Sequence, residues 1–135
     1  MDIKSFDIWF AEAKNDMEMG DVLLKKRKYS GAVFHFVQSA EKAVKGLLYL
    51  LNLQPWGHSL SGLLLECEKN GINVKQEYKT SAKSFDVHYT STRYPDASPT
   101  PPRKAYDKAT AETIKRQAKA IITFIEQEKT GKVKP

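Results

Sequence analysis

The chain has a single cysteine, Cys67, among its 135 residues. One thiol forms no internal disulfide, which excludes a disulfide scaffold and a multi-cysteine zinc site and points to a reducing cytoplasm. Long apolar runs are also missing. The longest, around Gly46 to Leu53, falls far short of the roughly 20 residues that span a bilayer. The start, Met1-Asp2-Ile3-Lys4, is not a charged stretch followed by an apolar one, so neither a membrane anchor nor a signal peptide is expected. There is no glycine-rich phosphate loop, no serine-elbow motif, no cluster of His, Cys and carboxylates at metal-ligand spacing, and no internal repeat. No metal or cofactor is therefore expected.

What is present is 41% apolar and 28% charged, enough for one domain with a core that holds without disulfides or metal. The net charge is +6, unevenly spread: residues 1–24 carry six carboxylates against Lys4 and Lys14, a net of −4, which leaves +10 for the remainder. Such an excess suits a phosphate-bearing partner, and it equally suits a solubilising surface.

Periodicity decides the architecture. Phe6, Phe10, Ala13, Met17, Gly20 and Leu24 recur at spacings of three and four, as an amphipathic helix requires. Lys25-Lys26-Arg27-Lys28 closes that helix, because cations oppose the negative end of its dipole. Ser30 is placed to cap a second helix with the stripe Val33, Phe36, Val37, Ala40, Val44, Leu47, Leu48 and Leu51, which Pro55 bounds. A third, shorter helix runs from near Ser59 to Asn70-Gly71 with Leu60, Leu63, Leu64 and Cys67 on one face. A fourth, with Asn73 as its expected cap, carries Tyr78, Ala82, Phe85 and Tyr89 and ends near Arg93, since Pro95 disfavours helix at Tyr94. Residues 94–106 hold Pro95, Pro99, Pro101 and Pro102, too many for a helix, and form an expected loop. Asp107 or Thr110 then opens a last helix with Ile114, Ala118, Ile121, Ile122 and Ile125, before Gly131 and a basic tail at 129–135. No segment alternates as a strand. The expected fold is all-α, an antiparallel up-and-down bundle of four to five helices with its core at about residues 5–128.

Two stretches carry a resemblance. The first is Tyr29-Ser30-Gly31-Ala32-Val33-Phe34-His35, leading into Gln38-Ser39-Ala40-Glu41-Lys42-Ala43-Val44-Lys45-Gly46-Leu47-Leu48 and then Gly57-His58-Ser59-Leu60. The second is Ser91-Thr92-Arg93-Tyr94-Pro95-Asp96, followed by a basic final helix. Together they resemble the HEPN family, all-helical domains named for higher eukaryotes and prokaryotes nucleotide binding. The resemblance implies a dimerising bundle, often paired with a minimal nucleotidyltransferase as a toxin and antitoxin. It further implies, for many members, a metal-independent ribonuclease whose signature is an Arg and a His with four to six residues between them. Here that window is empty: Arg93 is followed there by Ser98, Pro99 and Thr100, and Arg103 by Lys108, Ala109 and Thr110. Histidine is the side chain best suited to proton transfer near neutral pH. The expectation therefore leans away from an enzyme, with Arg93, His58 and His88 as the catalytic candidates should the fold bring a histidine to the arginine.

The expected function is a nucleotide- or RNA-binding module of little or no nuclease activity, with a homodimer and a nucleotidyltransferase as partners and no membrane. A ribonuclease toxin with an atypical Arg/His site and a non-catalytic dimerisation or adaptor domain are the alternatives. Phosphate binding falls to Arg93, Tyr94, Arg103, Lys104 and Lys108, where the proline-rich loop meets the last helix, while Lys115, Arg116 and Lys119 share one side of that helix and Tyr106 offers a ring for stacking. Arg93 has a second reading, a loop-fixing ion pair with Glu41 or Asp96. Glu41 and Lys42 also admit a plain solvated placement. His58 is expected to bond a backbone carbonyl, His35 to be a satisfied boundary residue, and Cys67 to be a buried thiol. Trp9, beside Ile8 and Phe10, offers more apolar surface than one stripe buries, which marks the first two helices or the loop for a two-fold contact.

Overall fold

A computed structural model describes residues 1–133, and among these it contains helices only. They are α1 (Ile3–Lys25), α2 (Tyr29–Leu50), α3 (Leu60–Lys69), α4 (Gln76–Arg93), α5 (Pro102–Ala105) and α6 (Lys108–Lys132). The antiparallel bundle forms around α2, against which α1, α3, α4 and α6 all pack. Periodicity explains why: α2 is apolar on nearly every side, and 13 of its 22 residues are buried. Phe36, Val33, Val44, Leu47, Leu48 and Leu50 are among its fully enclosed side chains. Each large one contributes about 1.5–3 kcal/mol on burial.

Capping is where local chemistry departs from expectation. Asp107 caps α6 by accepting from the Thr110 amide at 2.8 Å, and Ser59 caps α3 through the Gly62 amide at 3.1 Å. Ser30 does not cap α2. That helix begins at Tyr29, two residues earlier than a Ser30 cap would set it, with Lys28 at the cap position and no side-chain bond to the open amides. Asn73 does not cap α4 either, because Ile72 and Val74 on either side of it are both buried and hold that stretch out of the helix, leaving Lys75 as the cap. The proline-rich segment, expected to be a loop throughout, contains one further helix, the single turn α5, which brings the count among the described residues to six. Pro102 stands at its start, where a missing N–H costs nothing. The last helix runs on through Gly131 to Lys132, into the stretch expected as a tail, and residues 134–135 lie outside the described residues. Trp9 finds a neighbour within the chain, stacking on Tyr49 at 5.5 Å, while Ile8, Met19 and Val22 remain exposed on α1.

Of the glycines, Gly20 of α1 is the one most closely approached, by Phe36 of α2. A Cβ placed there would overlap the Phe36 ring, which is itself fully buried. Gly20→Ala therefore forces a packed aromatic off its position and should destabilise the fold by about 1–3 kcal/mol, offset slightly by the better helix propensity of alanine. Urea unfolding of the variant checks this; an unchanged midpoint would mean that the α1–α2 contact gives way freely.

Candidate functional site

One face of α2 carries Phe34, Gln38, Glu41 and Lys45, spaced four, three and four apart so that they stand in a row. Glu41 lies at its centre and is only 3% exposed. A carboxylate so deep must be matched on both oxygens. Oε1 meets His58 Nδ1 at 2.7 Å and Lys45 Nζ at 3.3 Å, and Oε2 accepts from Gln38 Nε2 at 3.2 Å. His58 thus bonds a buried carboxylate rather than a backbone carbonyl, and the solvated placement of Glu41 does not hold.

The His58 ring stacks on Tyr89 of α4 at 4.9 Å between centroids. One turn further along α4, the Arg93 guanidinium lies 3.6 Å from the centre of the same tyrosine ring and 4.6 Å from that of Phe34. It also donates to the Tyr89 carbonyl at 3.2 Å. Among the described residues no carboxylate is within ion-pair distance of Arg93, so the expected pairing with Glu41 or Asp96 is not formed. The reason is visible in the row on α2: Glu41 is saturated by His58, Lys45 and Gln38, while the aromatic surfaces of Phe34 and Tyr89 receive the cation.

Two features hold His58 in place. Gly57 takes φ of +80°, a conformation that favours glycine, and turns the chain into α3. Asp86 of α4 then clamps the start of α3, accepting from the Leu60 amide at 2.6 Å and from Ser59 Oγ at 3.0 Å. Beside this clamp lies a cavity of about 500 Å³ lined by Leu48, Leu53, Pro55, Trp56, His58 and Glu66, among others. Trp56 on its rim is 89% exposed.

The remaining candidates are more scattered. Both ring nitrogens of His88 are engaged, Nδ1 with the Tyr106 hydroxyl at 2.7 Å and Nε2 with Ser84 Oγ at 3.1 Å. Tyr106 is buried, while Tyr94 is exposed. Arg103 and Lys104 stand exposed on α5, and no hydrogen bond or ion pair links either to Arg93 among the described residues. Lys108 faces Glu112 at 3.8 Å, and Lys115 is taken by Asp21 at 2.6 Å. Arg116 bonds Thr113, and Lys119 is exposed. His35 is matched by the buried Asp16 at 2.8 Å, and Lys42 reaches the other oxygen of Asp16 at 2.6 Å, so Lys42 too is paired rather than merely solvated. Burial pushes the Cys67 thiol up to about 12, with the charges of Glu128 and Glu66 adding to it, so it is no nucleophile at neutral pH. Among the described residues no group of three His, Cys, Asp or Glu is placed to hold a metal ion. Sequence reasoning missed Tyr89, Trp56 and Asp86; the i,i+4 spacing of Tyr89 and Arg93 was the signal available for the first of these.

Burial lowers the pKa of His88 from its ordinary 6.5. The unfolded chain then binds a proton at a higher pH than the native one does. The stabilisation from neutral His88 is complete above about pH 6.5 and is lost as pH falls through the native value. Urea unfolding across this range should show wild-type stability falling on acidification, with a shallower fall in His88→Gln; identical profiles would contradict the assignment.

Comparison with known proteins agrees with this architecture. The family model described as HEPN domain matches residues 6–128. A protein of Methanocaldococcus jannaschii, described as "Putative toxin MJ1304", is 28% identical over 132 residues, covering 91% of this chain and 87% of its own length. The crystal structure of TT1696 from Thermus thermophilus superposes with a TM-score of 0.86 at 32% identity, covering 90% of this chain and 96% of that one. The structure of ST0689, described as an archaeal HEPN homologue, gives a TM-score of 0.77 at 30% identity over 91% of this chain and 96% of its own. The six-helix bundle, its two motif stretches and these matches together establish that the chain belongs to the HEPN family.

Proposed function

We propose that the protein is a nucleotide- or RNA-binding HEPN module whose ligand phosphate is received by Arg93 between α2 and α4. The observation that carries this reading is a guanidinium with no carboxylate partner, held by its flat face against Tyr89 and Phe34. That arrangement leaves donor edges for a phosphate without the desolvation of an existing ion pair. Lys45 of the α2 row and His58 from the segment before α3 add donor groups beside Glu41, and Trp56 provides an exposed ring for a base. The similarity to a protein described as a "putative toxin" supports a role in a toxin–antitoxin-like pair, in which the partner proposed, from the family resemblance, is a nucleotidyltransferase. A homodimer would cover Ile8, Met19 and Val22, which share the outer face of α1.

A specific observation also favours the atypical ribonuclease reading: Arg93 and His58, far apart in the linear sequence, both lie against the Tyr89 ring. Binding and cleavage are separable by incubating labelled single-stranded RNA with the protein in the presence of a chelator.

Arg93→Ala should weaken binding of an oligoribonucleotide by about 1.5–3 kcal/mol, the worth of a charge-assisted hydrogen bond, with little change in melting temperature. Unchanged affinity would place the ligand elsewhere. Cleavage that disappears in both Arg93→Ala and His58→Ala would favour the ribonuclease. In light scattering the dimer should appear at micromolar concentrations and dissociate in Val22→Glu; a wild-type monomer would count against it.

A further inference from the structure

The run Lys25-Lys26-Arg27-Lys28 plays no part in the Arg93 site. At the α1–α2 turn, Lys25 and Arg27 line a cavity of about 530 Å³ together with Leu24, Tyr29, Lys108 and Glu112. Three cations from two separate elements thus face one recess against a single carboxylate. The other nearby carboxylate, Asp21, is engaged with Lys115 at 2.6 Å. Among the described residues none of Lys25, Lys26, Arg27 and Lys28 has a carboxylate within ion-pair distance.

Stability of the helices explains only part of this charge. Lys25, in the last turn of α1, opposes the negative end of its own helix. Lys28 is the opposite case: it stands at the start of α2, beside open amides and the positive dipole end, without capping them. Lys108, the first residue of α6, is placed in the same unfavourable way. Arg27 adds a conformational cost. The Lys28 amide donates to the Leu23 carbonyl at 2.9 Å and the Arg27 amide to Leu24 at 3.1 Å, a helix-ending pattern that puts Arg27 at φ of +59°, where glycine is preferred. Charge repulsion and backbone strain therefore coincide at the mouth of one cavity, and an anion seated there relieves the first.

We infer that this cavity is a phosphodiester-binding site that engages the backbone of single-stranded RNA, a second anchoring point that rests on the RNA-binding reading of the Arg93 site. A strand suits it better than a free phosphate does. Lys26 and Lys28 extend the cationic turn beyond the cavity, and Arg103 and Lys104 lie on the short helix just ahead of Lys108, so the charge is spread along a path and not gathered around one point.

The test uses a fluorescent oligouridylate titrated at several salt concentrations, with pyrophosphate and polyglutamate as competitors. The variants are the triple change Lys25→Gln, Arg27→Gly and Lys28→Gln, and a control triple Lys4→Gln, Lys75→Gln and Lys83→Gln that removes as much charge elsewhere. Each lost contact to a single strand should lower the salt slope by about 0.7, so the site triple should lower it by about 2. Its affinity at low salt should fall at least about tenfold, as loss of several phosphate contacts implies, while the control stays near wild type. Arg27→Gly alone should raise the melting temperature and still weaken binding, a combination that a purely structural arginine would not give. Equal losses in both triples, or a site triple that binds like wild type, would overturn the inference. If Arg93→Ala abolishes binding while the site triple retains it, only this second anchor falls; if wild type binds no RNA at low salt, both readings fall. Competition by polyglutamate as strong as that by unlabelled RNA would point to an acidic protein surface, and competition by pyrophosphate as strong as that by RNA to a free-phosphate site; either result contradicts RNA as the occupant.

Discussion

The Glu41 carboxylate, buried within α2, ties the core of this protein to its candidate site. Its neighbours Ala40, Ala43 and Val44 are fully enclosed, so the acid cannot turn out to water without unwinding the central helix. A charge in such a place is tolerated only when its partners are complete, and removing one partner of a buried pair typically costs about 3–5 kcal/mol. His58, Lys45 and Gln38 supply that match. The histidine is thereby drawn against Tyr89, and the guanidinium of Arg93, with Glu41 occupied, lies on aromatic faces. The solvent-facing chemistry of α4 follows from an electrostatic requirement inside α2.

A second buried acid serves a neighbouring side of the same helix. Asp16 of α1 is 2% exposed and lies between His35 and Lys42 of α2. The acidic first helix and the basic remainder therefore meet at least partly within the molecule, and Asp21 with Lys115 repeats the pattern between α1 and α6. Two of the five carboxylates of α1, Asp16 and Asp21, are thus used in structural pairing among the described residues. Arg93, the α1–α2 turn and α5 carry cations without such partners among the described residues, and it is there that a phosphate ligand is proposed to meet the protein.

Apolar periodicity made the helices legible, because the stripes of α1, α2, α3 and α6 had to face inward whatever their neighbours. The starts of α3 and α6 were legible as well, since Ser59 and Asp107 cap by bonds to amides three residues on. Those of α2 and α4 were not: the burial of Ile72 and Val74 overrode the capping preference of Asn73, and α2 began at Tyr29 without a polar cap. Within the site, Arg93, His58 and Glu41 were recognisable as unusual residues, yet their pairing was not. Whether His58 or Arg93 meets Glu41 depends on the angle at which α3 enters the bundle. That angle is set by Asp86, 26 residues from the Leu60 amide it binds, a contact that no local pattern announces.

The central claim is that a ligand phosphate displaces nothing but water from Arg93 and reaches His58 across the Tyr89 ring. Residue-resolved NMR titration with a single-stranded oligoribonucleotide tests it most directly, following the guanidinium Nε–H of Arg93 and the rings of His58 and His88 together. The account predicts that Arg93 and His58 shift in parallel and saturate at the same ligand concentration, while His88, held between Tyr106 and Ser84, stays unchanged. Saturable shifts at His88 with Arg93 and His58 unmoved would contradict it.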